Sequence, residues 1–473
     1  MDEKASAQRM PALEGIVHLV EPRSIRFLRL RDLVADWPLA KGVLAAAVAG
    51  CAPLVPTGLC DALALGATSA ERSACSAPRF AEGGPDAEEY GASKGYPIGD
   101  RSNWFRTPLL VGSHSHFDQV FEGRTVPQAR TPSELKRAAP EPVLRYEYQG
   151  ETRTLDDYLA RHPATGLLIA QGDTILAERY QYARTDQHRL TSWSMAKTVT
   201  AMLVGIAIAE GHIRSVDDPA AVYVPALAGT EYGQTSLRHL LQMSSGVRFV
   251  EDYSTPDSDS GRLAAGTFRR VGPGGVAAVT PFNVRAVPSG TKYAYASAET
   301  QVLGLVLRSA LARPVADYLH EKIWEPMGAE ANATWLVDRS GQEVTYCCLN
   351  AVLRDYARFG LLLAHDGNWR GRQIIPRAWI EAATRVSADQ PHLRPGTARP
   401  FWGYGYQVWI LPGEQRVFVL RGNRGQAIFV DPASRLVMVH TSVRDEPGDA
   451  GDREVIALWR GLVRELGTNQ RGA

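Results

Sequence analysis

Three serines in this sequence stand three positions before a lysine: Ser133 and Lys136, Ser194 and Lys197, and Ser289 and Lys292. A serine hydroxyl becomes a nucleophile when a neighbouring base takes its proton, and a lysine is such a base only where burial keeps it neutral. The chemistry therefore asks for both groups on one face of a buried helix. Ser133-Glu134-Leu135-Lys136 lies in a Pro-flanked polar stretch and reads as the start of a surface helix, while Ser289-Gly290-Thr291-Lys292 carries the glycine of a turn. Only Ser194-Met195-Ala196-Lys197 opens a strongly apolar helix. There, residues three apart share a face, so Lys197 Nζ can reach Ser194 Oγ. A helix N-terminus also disfavours a cation and favours an oxyanion. The plainer alternative is a serine cap beside a snorkelling lysine, which leaves the motifs downstream unexplained.

Other chemistry-bearing residues are weaker candidates. Gly91-Ala92-Ser93-Lys94-Gly95 matches the G-x-S-x-G nucleophile elbow, but that motif needs a buried strand before it and a helix after it. Acidic residues precede this one and Tyr96-Pro97 follows. His114, Ser115 and His116 have no carboxylate cluster nearby, so no metal and no cofactor is expected. The five cysteines, Cys51, Cys60, Cys75, Cys347 and Cys348, form no CxxC; Cys347 and Cys348 read as small buried residues.

The elements that must position the pair follow from hydrophobic pattern. Residues 166–180 read as a hairpin turning at Gly172-Asp173. Residues 198–210 read as a buried helix stopped by Gly211, with further helices at 236–243, 299–312, 353–364 and 377–385. Residues 405–410, 417–420, 426–430 and 435–441 read as successive antiparallel strands, and 453–466 as a closing amphipathic helix. Strands at both ends with helices between predict an α/β (α+β) fold, an antiparallel sheet flanked by helices with an inserted helical lobe. The expected boundaries are an α/β lobe from 101–210 plus 351–473 and a helical lobe over 211–350.

Composition excludes several classes. The 473 residues are 45% hydrophobic and 22% charged with net charge +1, an ordinary globular balance. No Lys/Arg block tracks phosphates, so no nucleic-acid partner is expected. Residues 1–100 read as leader and linker. Lys41 precedes an uncharged run, and Val48-Ala49-Gly50-Cys51 resembles a lipobox, which would anchor the chain to a membrane through Cys51. Ala62-Leu63-Ala64 is a rival cleavage site, although about forty residues stand in front of the apolar run. The expectation is a periplasmic or membrane-anchored lipoprotein, with a cytoplasmic protein as the alternative. Residues 69–100, rich in small and polar types, read as linker.

Over residues 103–466 the chain resembles the β-lactamase-related serine hydrolases: class C β-lactamases, D-Ala-D-Ala peptidases and esterases. It is most similar to the 6-aminohexanoate-dimer (nylon-oligomer) hydrolases. Besides the serine–lysine pair, the blocks that carry this are Glu210-Gly211-His212-Ile213, Tyr223-Val224-Pro225-Ala226-Leu227, His239-Leu240-Leu241-Gln242-Met243-Ser244-Ser245-Gly246 and Arg354-Asp355-Tyr356-Ala357-Arg358-Phe359-Gly360. The resemblance implies Ser194 as nucleophile and Lys197 as base. Tyr295 takes the role of proton-passing tyrosine, a lysine's field lowering its pKa, with Ser297 in the third position; Tyr293 is the neighbouring alternative. Tyr253, after Glu251-Asp252, resembles the tyrosine that hydrogen-bonds the scissile amide in the nylon-oligomer hydrolases, and a surface tyrosine is the alternative.

The third family element departs from Lys-Thr-Gly. Leu420-Arg421-Gly422-Asn423-Arg424-Gly425-Gln426 stands there instead. Gly422 permits close backbone approach, the Asn423 N–H joins that of Ser194 as oxyanion hole, and Gly422, Gly425 and Gln426 face substrate. Without that lysine, β-lactamase and peptidase activity lose favour to amide or ester hydrolysis. The expected function is an acyl-enzyme serine hydrolase acting on a small-molecule amide or ester, most like 6-aminohexanoate-oligomer hydrolysis. The rivals are a carboxylesterase or weak β-lactamase of the same fold and a non-catalytic ligand-binding sensor.

Overall fold

The computed structural model describes residues 76–444 and 452–467. The lipobox and leader expected around Cys51 lie outside the described residues. Among the described residues no helix is long and apolar enough to cross a membrane.

A nine-stranded sheet organises the chain. Its strands are β1 (Arg79–Phe80), β2 (Lys136–Arg137), β3 (Ala164–Gln171), β4 (Thr174–Tyr180), β5 (Gly403–Tyr404), β6 (Trp409–Ile410), β7 (Phe418–Gly422), β8 (Gln426–Asp431) and β9 (Leu436–Ser442). They run β1-β4-β3-β9-β8-β7-β6-β5, with β2 also paired to β4. The hairpin β3–β4 turns at Gly172, whose φ of 66° suits glycine. β9 pairs antiparallel with β3, which joins the hairpin of residues 164–180 to the strands of residues 403–442 in one sheet.

Side-chain alternation shows why this sheet is the centre. On β3, β8 and β9, residues Leu168, Ala170, Ile428, Val430, Val437 and Val439 enter one core. Their neighbours Leu167, Ile169, Phe429, Leu436 and Met438 enter the other. Both faces are therefore covered, as period-2 geometry requires of a buried strand. Helices α1 (Ala196–Ala209), α2 (Ser297–Leu311) and α3 (Leu353–Ala364) supply the first core. Helix α4 (Asp452–Leu466) lays Val455, Leu458, Trp459 and Leu462 into the second. α1 is buried over all of residues 196–207, because no side of it is polar enough to face water. A smaller four-stranded sheet joins Gly123–Val126, Ala333–Leu336, Leu349–Ala351 and Leu190–Thr191.

Three expectations need correction. The body begins before Arg101: β1 pairs with Arg179 and Tyr180, Ser76 Oγ donates to the Ile175 carbonyl at 2.9 Å, and Tyr90 and Tyr96 pack edge-on against buried Tyr182. Those two tyrosines anchor a stretch whose average composition looks like linker. Ser133 starts no helix; its hydroxyl is buried against the Met327 carbonyl at 2.8 Å, and Lys136 enters β2. Residues 405–410 do not form one strand, since Tyr404 and Trp409 pair across a tight connection in which Gln407 has φ 56°.

Candidate active site

Strand Leu190–Thr191 leads into a short 3-10 turn, Trp193–Met195, that runs on into α1. Trp193 holds φ at 42°, a left-handed conformation that a bulky side chain rarely adopts. Such local strain is found where a nucleophile must be presented at a fixed angle. One turn later Lys197 is 1% exposed, and its Nζ donates to Ser194 Oγ at 2.9 Å, to Ser297 Oγ at 3.0 Å and to the Tyr346 carbonyl at 2.9 Å. Burial lowers its pKa to about 8, with the Glu251 carboxylate opposing that shift.

Ser297 opens α2 and is buried. Its hydroxyl donates to Glu251 Oε1 at 2.5 Å and its amide to Glu251 Oε2 at 2.8 Å. Tyr253 OH donates to the same Glu251 Oε1 at 2.5 Å, although the tyrosine itself is half-exposed on the cavity wall. Glu251 is the residue that sequence reasoning passed over. It sits in the same Glu251-Asp252-Tyr253 stretch, and a carboxylate two residues from a candidate tyrosine was the available signal.

Tyr295 lies against the Ser194 hydroxyl, with Lys197 Nζ 5.0 Å from its ring centre and Trp409 stacked at 5.5 Å. Its pKa moves opposite to the expectation. Burial, then the Glu251 charge, raise it above the ordinary phenol value, outweighing the lowering effects of the Ser194 hydrogen bond and of the Arg421 and Arg399 charges. Tyr295 therefore holds its proton and can donate it. Tyr293, the alternative, is buried beside Tyr404 and Trp409 and lines neither cavity at Ser194.

Gly422 ends β7 where the strand meets the serine turn. A Cβ there would stand 2.4 Å from the Ser192 carbonyl oxygen and 3.1 Å from Trp193 Cβ. The missing side chain lets Asn423 line the same cavities as Ser194. Gly425, with φ 90°, continues that wall. Gln426 also borders it, yet its carboxamide is spent internally, donating to the Ser442 carbonyl at 2.6 Å and accepting from the Ser442 amide at 3.1 Å. It shapes the wall rather than offering a polar group to substrate. Arg421 stacks 4.5 Å over Trp402 and pairs with Asp452.

Two cavities meet at Ser194. One, of about 220 Å³, is bordered by Tyr295, Trp402, Trp409, Arg421 and Gly425; the other, of about 330 Å³, by Trp104, Phe105, Trp193, Phe268 and Tyr346. Cys347, on the second cavity, is disulfide-bonded to Cys348 rather than a free thiol. His114 is buried with its Nδ1 against the Leu110 carbonyl at 2.9 Å, and burial lowers its pKa to about 3.

This arrangement has relatives. A family model described as Beta-lactamase matches residues 152–459. The chain belongs to the beta-lactamase family. A 6-aminohexanoate-dimer hydrolase from Paenarthrobacter ureafaciens is 27% identical over 366 residues, covering 76% of this chain and 91% of that protein. A solved structure named "Putative 6-aminohexanoate-dimer hydrolase from Bacillus anthracis" superposes with a TM-score of 0.69 at 24% identity, covering 79% of this chain and 97% of that one. The chain is thus a hydrolase of the beta-lactamase fold related to the 6-aminohexanoate-dimer hydrolases. Within this beta-lactamase-family member, Ser194, Lys197, Tyr295, Ser297, Tyr253 and Asn423 all converge on one place.

Proposed function

We propose that this protein hydrolyses small linear amides through an acyl-enzyme on Ser194. The observation that carries the reading is the buried Lys197, whose Nζ lies 2.9 Å from Ser194 Oγ and whose pKa is lowered to about 8. Neutral Lys197 takes the hydroxyl proton as Ser194 Oγ bonds to the substrate carbonyl carbon. The carbonyl oxygen becomes an oxyanion, held by the N–H groups of Ser194 and Asn423. Collapse breaks the C–N bond while Tyr295 gives its proton to the leaving nitrogen, and Lys197 returns one to Tyr295. Water then attacks the ester, its proton passing to Lys197, and release of the acid restores the Ser194 hydroxyl.

Linear amides are favoured over β-lactams for two reasons. Tyr253 stands on the wall where its hydroxyl can accept the scissile N–H, and the relative named above is a 6-aminohexanoate-dimer hydrolase. At the third motif the cation is Arg421, engaged by Asp452 and by the Trp402 face. The test is a panel of p-nitrophenyl acetate, a hexanoyl amide and a cephalosporin. Turnover of the ester and the amide, with slow cephalosporin cleavage, is expected. Efficient cephalosporin cleavage with an inert amide would replace this reading by a β-lactamase.

A further inference from the structure

The two cavities at Ser194 differ in chemistry, and the difference orients a substrate. Tyr295 borders the cavity of about 220 Å³ and not the other. A proton donor must face the leaving nitrogen, so the amine departs through that side and the acyl half occupies the cavity of about 330 Å³. Aromatic side chains wall this second cavity, which suits an apolar chain, and Arg269 is set among them.

Arg269 is unlike the arginines around it. Arg262 pairs with Asp259 and Arg270 with Glu122. Arg269 lines the cavity beside Phe268 and Tyr346, and its Nε is buried without a hydrogen-bond partner. A buried donor left unpaired is unfavourable, and a guanidinium is built to take a carboxylate. The one carboxylate on this cavity among the described residues is Glu251, already accepting from Ser297 and Tyr253. Arg424, whose Nη1 donates to the Arg444 carbonyl, adds a second cation to the same wall. An acyl chain ending in an ammonium would meet Arg269 there and, among the described residues, no uncommitted acid.

We propose that Arg269 binds an anionic group on the acyl half of the substrate, so that the preferred substrate is an amide of an apolar acyl chain ending in a carboxylate. This rests on the acyl-enzyme reading above, because that reading decides which cavity receives the acyl half.

Three p-nitroanilides with matched six-carbon acyl chains test it: 5-carboxypentanoyl, hexanoyl and 6-aminohexanoyl. Each is measured by its kcat/KM and by the concentration that protects Ser194 from a small fluorophosphonate, which needs no turnover. On the wild-type protein the carboxylate compound should protect at a concentration at least tenfold below the ammonium compound. Arg269→Gln should remove most of that advantage, Arg269→Lys should keep part of it, and Arg269→Glu should reverse it. Equal or better protection by the ammonium compound on the wild-type protein overturns the proposal. So does an unchanged ratio in a folded Arg269→Gln variant. Labelling that never reaches Ser194 sinks the acyl-enzyme reading itself, whereas labelling at Ser194 with the wrong charge preference sinks only the Arg269 inference.

Discussion

The Glu251 carboxylate stands one hydroxyl away from Lys197: Ser297 Oγ donates to Glu251 at 2.5 Å and accepts from Lys197 Nζ at 3.0 Å. The charge state of the proposed base is thus set by two opposing influences, burial pushing its pKa down and Glu251 pulling it up. The other groups facing Nζ are the hydroxyl of Ser194, the Tyr346 carbonyl and the rings of Tyr295 and Tyr346.

This sets a pH dependence. Lys197 acts only when neutral, so kcat/KM should be low where it is protonated and rise with pH through about 8. A pH–rate profile on an amide substrate checks it. A flat profile from pH 6 to 10 would mean that another group takes the serine proton.

Removing the carboxylate should shift that profile. In Glu251→Gln the raising influence is gone and burial remains, so the rising limb should move to lower pH, while the amide can still accept from Ser297. A midpoint that stays in place would reduce Glu251 to holding Ser297 and Tyr253.

Gly422→Ala should separate the two halves of the site. Its Cβ would meet the backbone oxygen of Ser192 at 2.4 Å, which no side-chain rotation relieves. Overpacking of this kind costs about 1–3 kcal/mol. We expect a lower Tm and a fall in kcat of at least about tenfold, since a tenfold loss needs only about 1.4 kcal/mol at the transition state. Wild-type kcat would show that β7 need not touch the serine turn.

Much of this was legible in the sequence because pattern and chemistry agreed. The helix bearing Lys197 is apolar on every side, and that one property announces both the buried element and the shifted lysine. The β3–β4 hairpin and helix α3 follow from turn residues and periodicity, and α3 spans Leu353–Ala364 as its pattern predicts. What escaped depends on contacts distant in sequence. Glu251 acts on Lys197 across 54 positions of chain only once α1 and α2 have packed (251 − 197 = 54). The phenol of Tyr295 rises because burial and Glu251 outweigh the Ser194 hydrogen bond and the Arg421 and Arg399 charges, a balance that residue types alone do not contain. The β1 edge was hidden because two strand residues and two tyrosine anchors leave little periodic signal.

Tyr295→Phe should discriminate between leaving groups. An amine needs a proton to depart and an alkoxide needs it less, so amide kcat should fall by about 10²–10⁴, with a smaller loss on a short ester. Equal losses on both would make Tyr295 a packing residue beside Trp409.

In the proposed mechanism Ser194 carries the acyl group. The most direct measurement is intact-protein and peptide mass spectrometry after treatment with a fluorophosphonate, on the wild-type protein and on Ser194→Ala, Ser133→Ala and Ser289→Ala. One adduct is expected on the peptide containing Ser194, absent from Ser194→Ala and undiminished in the other two variants. An adduct that persists in folded Ser194→Ala, or a wild-type protein that takes up none, would contradict it.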